Sequence, residues 1–339
     1  MIRRVLCGMV AAAGLAGAAP LFEFPTPNQA LVEGKPADFY MYVDREFEGE
    51  KSQPWEGGSF GFVRGPQRWA GGVLFATLHE GIDIKPVTRD AQGNPLDPIF
   101  AAAAGRVVHV SDEAGASNYG RYIVLEHLIG RSPFYTLYAH LASSAVKPGD
   151  MVRQGDVIGK MGYTGRGLDR VRAHLHFEIA VMANRNFEGW YQALQSGSAN
   201  RHGLFNGMNL IGTDPAPVLL GARENPNFNL AAHIRGLEPA FSLTVPNVPG
   251  LSLIRDYPWL VPDGENAAPP AWTISFTRSG FPVRAMASET PVSEARVAWV
   301  APTKYALTHA TRGIVGGTAN APRLTDSGRR FARLLTWPD

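Results

Sequence analysis

The sequence predicts a mainly β protein built from antiparallel sheet, on the basis of three observations. Short runs of apolar and β-branched residues recur between residues 78 and 182, and glycines separate them. The 37 glycines and 26 prolines among 339 residues favour many turns and short strands. Many short strands joined by such turns are typical of an antiparallel β domain. The expected strands are Ile99–Ala103, Arg106–Val110, Tyr122–His127, Phe134–His140 and His174–Val181.

The first 18 residues are typical of a secretory signal peptide. Arg3 and Arg4 precede the apolar run Val5–Leu15, and the small residues Ala16–Ala18 follow as a cleavage site. The run is too short to cross a bilayer, so no transmembrane segment is expected after cleavage. We therefore expect an exported protein, located in the periplasm, in the cell envelope or outside the cell.

Cysteine content and charge exclude several classes of function. The single cysteine, Cys7, lies inside the predicted leader, so the mature chain would have no thiol for a disulfide, a metal or a nucleophile. Removing Arg3 and Arg4 would lower the formal charge from +2 to about zero. A mature chain with so little net charge lacks the strong positive field that would favour binding to nucleic acid.

The chain length and changes in composition suggest several regions. An N-terminal extension, 19–68, is rich in proline, glycine and aromatic residues and ends in a strand near Ser59–Arg64. The β domain is placed at 69–185, and a connecting region that packs on it, with a helix at Phe187–Gln195, at 186–240. A second β-rich region, 241–339, ends in a helix that Thr325 and Asp326 can cap. Its expected strands are Phe241–Val245, Trp272–Thr277, Val283–Ala287, Arg296–Val300 and Tyr305–His309.

The segment His79-Glu-Gly-Ile-Asp83 carries the first two candidate metal ligands. Gly81, the β-branched Ile82 and the nearby Pro86 make a helix improbable. In a straight strand His79 and Asp83 would share a face but lie roughly 13 Å apart. Both can reach one ion only if the chain bends, and Gly81 permits that bend. A histidine nitrogen and a carboxylate together suit zinc.

A second string, His174-Leu-His176, supplies two more imidazoles. On a strand they point the same way, while Leu175 and Phe177 face a core. One of the pair can bind a metal while the other reaches a substrate. A fourth histidine, His140, ends the expected strand Phe134–His140.

These residues belong to an ordered set of motifs that resembles the lysostaphin-like (LytM-type) zinc metallopeptidases. The set covers about 110 residues, and no piece is specific by itself. It comprises His-Glu-Gly-Ile-Asp-Ile (79–84), Ala-Ala-Ala-Gly-Arg-Val-Val (102–108), Tyr-Gly (119–120), Tyr-Ala-His-Leu (138–141), Gly-Asp-Met-Val-Arg-Gln-Gly (149–155), Ile-Gly (158–159), Thr-Gly (164–165) and His-Leu-His-Phe-Glu-Ile (174–179).

The resemblance implies an antiparallel β-sheet groove domain with one Zn²⁺ per chain. It assigns His79, Asp83 and His176 as metal ligands, and His140 and His174 as catalytic residues. It also implies hydrolysis of peptide cross-links in bacterial peptidoglycan by a zinc-activated water, with stem or bridge peptides as partners. Three ligands leave a coordination position open for that water. Which histidine acts as general base stays open.

Three alternatives are considered. The protein could be a metal-poor, non-catalytic activator of a cell-wall amidase, or a metalloprotease of proteins outside the wall. It could also be a structural envelope protein in which a metal with four protein ligands steadies the fold.

Further hypotheses concern residues outside the candidate ligand and catalytic set. His127 is expected at the surface as a strand-end histidine, and Glu178 could support His176 from behind. Arg166, Arg170 and Arg172 could form a groove rim that meets carboxylates of stem peptides. Asn28, in the extension, could reach the groove and occupy the metal position.

Overall fold

The computed structural model describes residues 20–195, 197, 199–249, 251–262 and 268–338. The predicted signal peptide, 1–18, lies outside these ranges. The described chain is mainly β, and its strands pair antiparallel, as predicted. None of the helices in these ranges combines the length and hydropathy needed to cross a bilayer.

The N-terminal part wraps against the central β domain. The rings of Phe22, Phe24 and Phe39 are buried in the main core, which anchors the segment. The strand expected near Ser59–Arg64 begins two residues later and forms a hairpin with the next strand. Its elements are α1 (Pro36–Phe39), β1 (Arg45–Phe47), β2 (Glu50–Ser52), β3 (Gly61–Trp69) and β4 (Gly72–His79).

A central antiparallel sheet positions the candidate site histidines and Asp83. All five strands expected here form, with ends shifted by up to three residues. The strands of this part are β5 (Ile82–Ile84), β6 (Pro98–Phe100), β7 (Gly105–Ser111), β8 (Tyr122–Ile129), β9 (Ser132–Ala139), β10 (Ser143–Ser144), β11 (Met151–Val152), β12 (Val157–Lys160) and β13 (Leu175–Met182). The sheet order is β11-β7-β8-β9-β13, and β5 also pairs with β13. β10, β12 and β6 form a smaller sheet.

The connecting segment extends this sheet and adds three helices. It contains α2 (Phe187–Leu194), β14 (Leu210–Thr213), α3 (Pro215–Glu224) and α4 (Leu230–Arg235). β14 pairs with β13 at the edge of the central sheet. The helix expected at Phe187–Gln195 is confirmed. The sequence prediction missed α3, although its start is marked by Asp214, whose side chain accepts from the Ala216 amide, and by Pro215 at the first helical position.

The C-terminal part forms a second, four-stranded sheet in the order β17-β16-β15-β18. Its elements are β15 (Phe241–Pro246), α5 (Ser252–Asp256), β16 (Ala271–Phe276), β17 (Pro282–Ser288), β18 (Arg296–Val300), α6 (Leu307–Ala310), β19 (Val315–Thr318), β20 (Ala321–Leu324) and α7 (Asp326–Leu335). Four expected strands are confirmed, and Thr325 caps α7 by accepting from the Gly328 amide.

The strand expected at Tyr305–His309 is wrong, because the chain forms the short helix α6 there. Leu307 is buried at its start, and the Thr311 hydroxyl donates to the Leu307 carbonyl at 2.7 Å, which closes the helical turn. The burial of Leu307 and the hydrogen bond of the Thr311 hydroxyl therefore outweigh the local β propensity.

One hydrophobic cluster extends through the extension, the central sheet and the C-terminal part. It includes Phe22, Ile82, Phe177, Phe241 and Leu335. The C-terminal part is therefore packed on the central sheet through shared core, and it can contribute side chains to the same surface.

Candidate metal centre and groove

The chain bends between β4 and β5, and this bend brings His79 to Asp83. His79 is the last residue of β4, which pairs with β3, whereas β5 pairs with β13. The His79 Nε2 atom lies 3.0 Å from the Asp83 Oδ1 atom. The predicted bend is present, and Gly81 lies within it. A Cβ at Gly81 would lie 2.4 Å from the Phe177 carbonyl oxygen, so the close approach of β13 requires glycine there.

Strand register brings His176 to the same point. His176 is paired across the sheet with Asp83 of β5 on one side and Ala139 of β9 on the other. His140 directly follows Ala139, and His174 directly precedes β13. The neighbouring strands β5, β13 and β9 therefore bring Asp83, His174, His176 and His140 to one end of the sheet, and the bend after β4 adds His79.

The ring nitrogens that face each other in this cluster are the ones left free to bind a cation. The His79 Nδ1–H donates to the Ser59 carbonyl at 2.8 Å, and His176 Nε2 is 2.8 Å from Glu178 Oε1. In neutral rings, the lone pairs are then on His79 Nε2 and His176 Nδ1, which are 3.1 Å apart. Asp83 Oδ1 lies 3.0 Å from each of these atoms.

The three converging atoms fit a zinc ion in number, type and spacing. Two imidazole nitrogens and a carboxylate are typical zinc ligands, and tetrahedral donors around zinc are about 3.3 Å apart. Among the described residues, His79, Asp83 and His176 form a group whose ligand atoms could hold a metal ion. Burial opposes protonation of His176, yet hydrogen bonds that the Asp83 and Glu178 carboxylates accept from its ring raise its pKa to about 9. The two carboxylates therefore favour positive charge at His176.

A salt bridge fixes the carboxylate of the group. The Arg64 Nη2 atom donates to Asp83 Oδ2 at 2.5 Å, and the Arg64 Nε–H donates to the Gly57 carbonyl at 2.9 Å. One carboxylate oxygen is thus held by β3, and the other faces the two histidines. The sequence prediction missed Arg64, because its partner becomes adjacent only through the β3–β4 hairpin and the bend after it.

The cluster lies in a groove of about 620 Å³, which His140 and His174 also line. Their ring centroids are 4.9 Å apart. The Nδ1–H of His140 donates to the Thr164 carbonyl at 2.9 Å, and that of His174 to the Arg172 carbonyl at 2.6 Å. Burial and the neighbouring His174 and His176 lower the pKa of His140 well below its usual range.

His140 also has a left-handed backbone, with φ of 64°. Among the described residues only Glu48, His140 and Arg312 have positive φ without being glycine, and the last two line the groove. Such conformations cost on the order of 1–2 kcal/mol and concentrate at functional sites.

Glu178 makes the contact expected of it. It is buried and accepts from His176 Nε2 and, at 2.7 Å, from the Tyr119 hydroxyl. The Tyr119 ring also packs against the His176 ring, with centroids 5.7 Å apart. Glu178 and Tyr119 therefore fix the tautomer and orientation of His176. Tyr119 belongs to the Tyr-Gly motif, but its role was not expected from the sequence.

Two further expectations are wrong, and a third holds for two of its three residues. His127 is buried, not at the surface, and contacts the Ala104 carbonyl and Thr136. Asn28 does not reach the groove, because its side-chain amide donates to the Asp38 and Lys85 carbonyls. Of the expected arginine rim, Arg166 and Arg172 line the groove and Arg170 does not.

The similarity of this chain to known proteins lies in the region that carries the candidate metal centre. The model of Peptidase family M23 matches residues 77–187. An "Uncharacterized metalloprotease" of Haemophilus influenzae is 37% identical over 103 residues, 30% of this chain and 18% of the relative. "Peptidoglycan DD-endopeptidase ShyB" of Vibrio cholerae is 37% identical over 84 residues, 25% of this chain and 18% of the relative. The chain thus spans under a fifth of the length of either protein.

Two further matches cover most of the other protein. The solved catalytic domain of lysostaphin from Staphylococcus simulans is 26% identical, with 48% of this chain and 88% of that chain covered and a TM-score of 0.27. "Lipoprotein NlpD" of Yersinia enterocolitica is 36% identical over 90 residues, 26% of this chain and 84% of the relative. The match to this lipoprotein covers most of its length, and the family model spans all five candidate histidine and aspartate positions. The chain therefore belongs to peptidase family M23.

Proposed function

We propose that this protein is an exported zinc metalloendopeptidase that hydrolyses peptide cross-links of bacterial peptidoglycan. His79, Asp83 and His176 hold one Zn²⁺, and His140 and His174 are the catalytic residues. The observation that carries the proposal is the convergence of two imidazole nitrogens and a carboxylate oxygen within 3.1 Å of one another, beside two further imidazoles in one groove. Membership of family M23 and the endopeptidase names of relatives support it.

A zinc ion bound by these ligands supplies Lewis-acid polarisation of a carbonyl and activation of water. The protein's own groups prepare the site for it. Arg64 and Glu178 hold Asp83 and His176 in place, so little reorganisation is needed when the ion binds.

His140 is the better candidate for the general base. Its Nδ1–H is held by the Thr164 carbonyl, so a neutral ring has its free lone pair on Nε2. Burial and the neighbouring imidazoles lower its pKa, so the ring is neutral at pH 7 and this lone pair is free. His174 lies beside His140, with its Nε2 atom 3.4 Å from Asp83 Oδ1; because its Nδ1–H is donated to the Arg172 carbonyl, it stabilises a developing oxyanion in the imidazolium form, through Nε2–H.

Two sets of variants separate metal binding from chemistry. His79→Ala should lose both zinc, measured by elemental analysis, and cleavage of purified peptidoglycan, measured by mass spectrometry of the released fragments. His140→Ala and His174→Ala should keep zinc and lose about 10²–10⁴-fold in rate. His233→Ala, on α4 and outside the groove, is the matched control.

Unaltered cleavage by His79→Ala would contradict the proposal. A wild-type protein that holds no zinc and cleaves nothing would favour the amidase-activator alternative. Cleavage of an elastin-like substrate but not of the wall would favour a protease of other proteins.

A further inference from the structure

The C-terminal part packs directly on the hairpin that carries His79. The guanidinium carbon of Arg278 lies 4.0 Å above the ring centroid of Phe62 in β3, and the Arg278 Nε–H donates to the His309 carbonyl. The ring centroids of Trp69 and Tyr305 are 5.1 Å apart. These contacts hold the turn after α6 next to the groove.

Arg312, in that turn, reaches into the groove. Its Nη2 atom donates to Glu80 Oε1 at 3.1 Å, and its Nη1 atom donates to the Ser279 carbonyl at 3.1 Å. Glu80 directly follows the candidate ligand His79. Both terminal nitrogens of the Arg312 guanidinium therefore have a partner within the protein, and a third of the side chain is exposed. Its left-handed φ of 52° is the kind of strain that marks a functional position.

The charges around the groove are unbalanced. Arginines outnumber carboxylates among the lining residues, four to two. Arg64 is paired with Asp83, and Arg312 with Glu80. Arg172 has a longer ion pair, at 3.9 Å, with Asp44 outside the lining. Arg166 has no hydrogen bond or ion pair among the described residues, so it supplies the excess positive charge. The lining arginines are Arg64, Arg166, Arg172 and Arg312. A positive groove attracts and orients an anionic peptide.

The groove also continues beyond Arg312. A second cavity of about 420 Å³ shares Gly207, Met208 and Arg312 with the first. It lies between the connecting segment and the C-terminal part, and its other lining residues include Leu210, Ile314 and Phe331. An extended peptide that leaves the metal centre on this side passes Arg312 before it enters the cavity.

We propose that the C-terminal part forms the distal end of the substrate groove, where Arg312 binds a carboxylate of the peptide. Arginine presents a planar set of donors suited to a carboxylate, and Arg312 has N–H groups beyond the two used internally. This inference rests on the proposed function. It narrows the substrate to wall peptides that bear free carboxylates, as opposed to neutral oligoglycine bridges.

The test compares two synthetic cross-linked stem peptides that differ only in their carboxylates, free in one and amidated in the other. Wild-type zinc-loaded protein should cleave the free acid with a kcat/KM at least tenfold higher. Arg312→Gln should reduce this preference to under threefold, mainly through KM, and Arg312→Lys should restore part of it. Glu80→Gln removes a competing carboxylate and should widen the preference.

Arg106→Gln is the matched control, because Arg106 lies on β7 outside the groove and pairs with Glu126. It should keep the wild-type preference. Circular dichroism and zinc content verify that each variant folds. Equal cleavage of both peptides by the wild type, or an unchanged preference in Arg312→Gln, would overturn this inference alone. Cleavage of neither peptide would overturn the proposed function as well.

Discussion

His127 should make the stability of the protein depend on pH, and His127→Gln should remove that dependence. The imidazole is buried between the Ala104 carbonyl, which accepts from Nδ1 at 2.9 Å, and Thr136 Oγ1, which is 2.7 Å from Nε2. The edge of the Phe22 ring covers it, with centroids 5.8 Å apart. Burial lowers the pKa of His127 to about 4, against about 6.5 in an unfolded chain.

The sign follows from which state binds the proton. Because the folded pKa is the lower one, the unfolded chain takes up a proton first as the pH falls. The stabilisation is complete above pH 6.5 and is lost as the pH falls toward 4. At pH 4.5 the shift corresponds to a loss of about 2.5 kcal/mol in the free energy of unfolding.

The assay is urea unfolding of the wild type and His127→Gln at several pH values from 7.5 to 4.5. Glutamine can still form hydrogen bonds in this place but does not titrate. All other ionisable groups are common to both proteins, so their effects cancel in the difference. The wild type's advantage over the variant should shrink by about 2–2.5 kcal/mol across this range. A difference that stays constant within about 0.5 kcal/mol would refute the reasoning.

Two further predictions concern residues that contact or adjoin the proposed metal ligands. Glu178→Gln should weaken zinc binding about 10–100-fold in a chelator competition, because the amide no longer fixes His176 with a charged acceptor; undiminished affinity would show that Tyr119 and packing suffice. Gly81→Ala should lower the free energy of unfolding by about 2 kcal/mol or more, since its Cβ would meet the Phe177 carbonyl at 2.4 Å. Gly115→Ala is the control, because a Cβ there meets nothing within 4 Å, and it should change the free energy of unfolding little. Equal urea midpoints for the two variants would show that the close approach of β13 does not require glycine at position 81.

The strands and capped helices that carry strong local signals were predictable. Alternation of buried and site-facing residues located β13, and Thr325 marked the start of α7. Local signals failed at α6, where burial of Leu307 and the Thr311 hydroxyl bond outweigh β propensity. They also failed for His127, because nothing in the sequence near a strand end reveals which loops will cover it.

The amino-acid sequence by itself determined the mainly β class and the set of histidines and Asp83 that could bind and use a metal. Those inferences rest on residue type and on spacing along one strand, which are local properties. Only the tertiary structure decided which ring nitrogen of each histidine faces the others, and that Arg64, Tyr119 and Glu178 support the group. It alone brought Arg312, 232 residues from Glu80, to the groove. Contacts between residues so far apart depend on how separate sheets pack, and no local pattern encodes that packing.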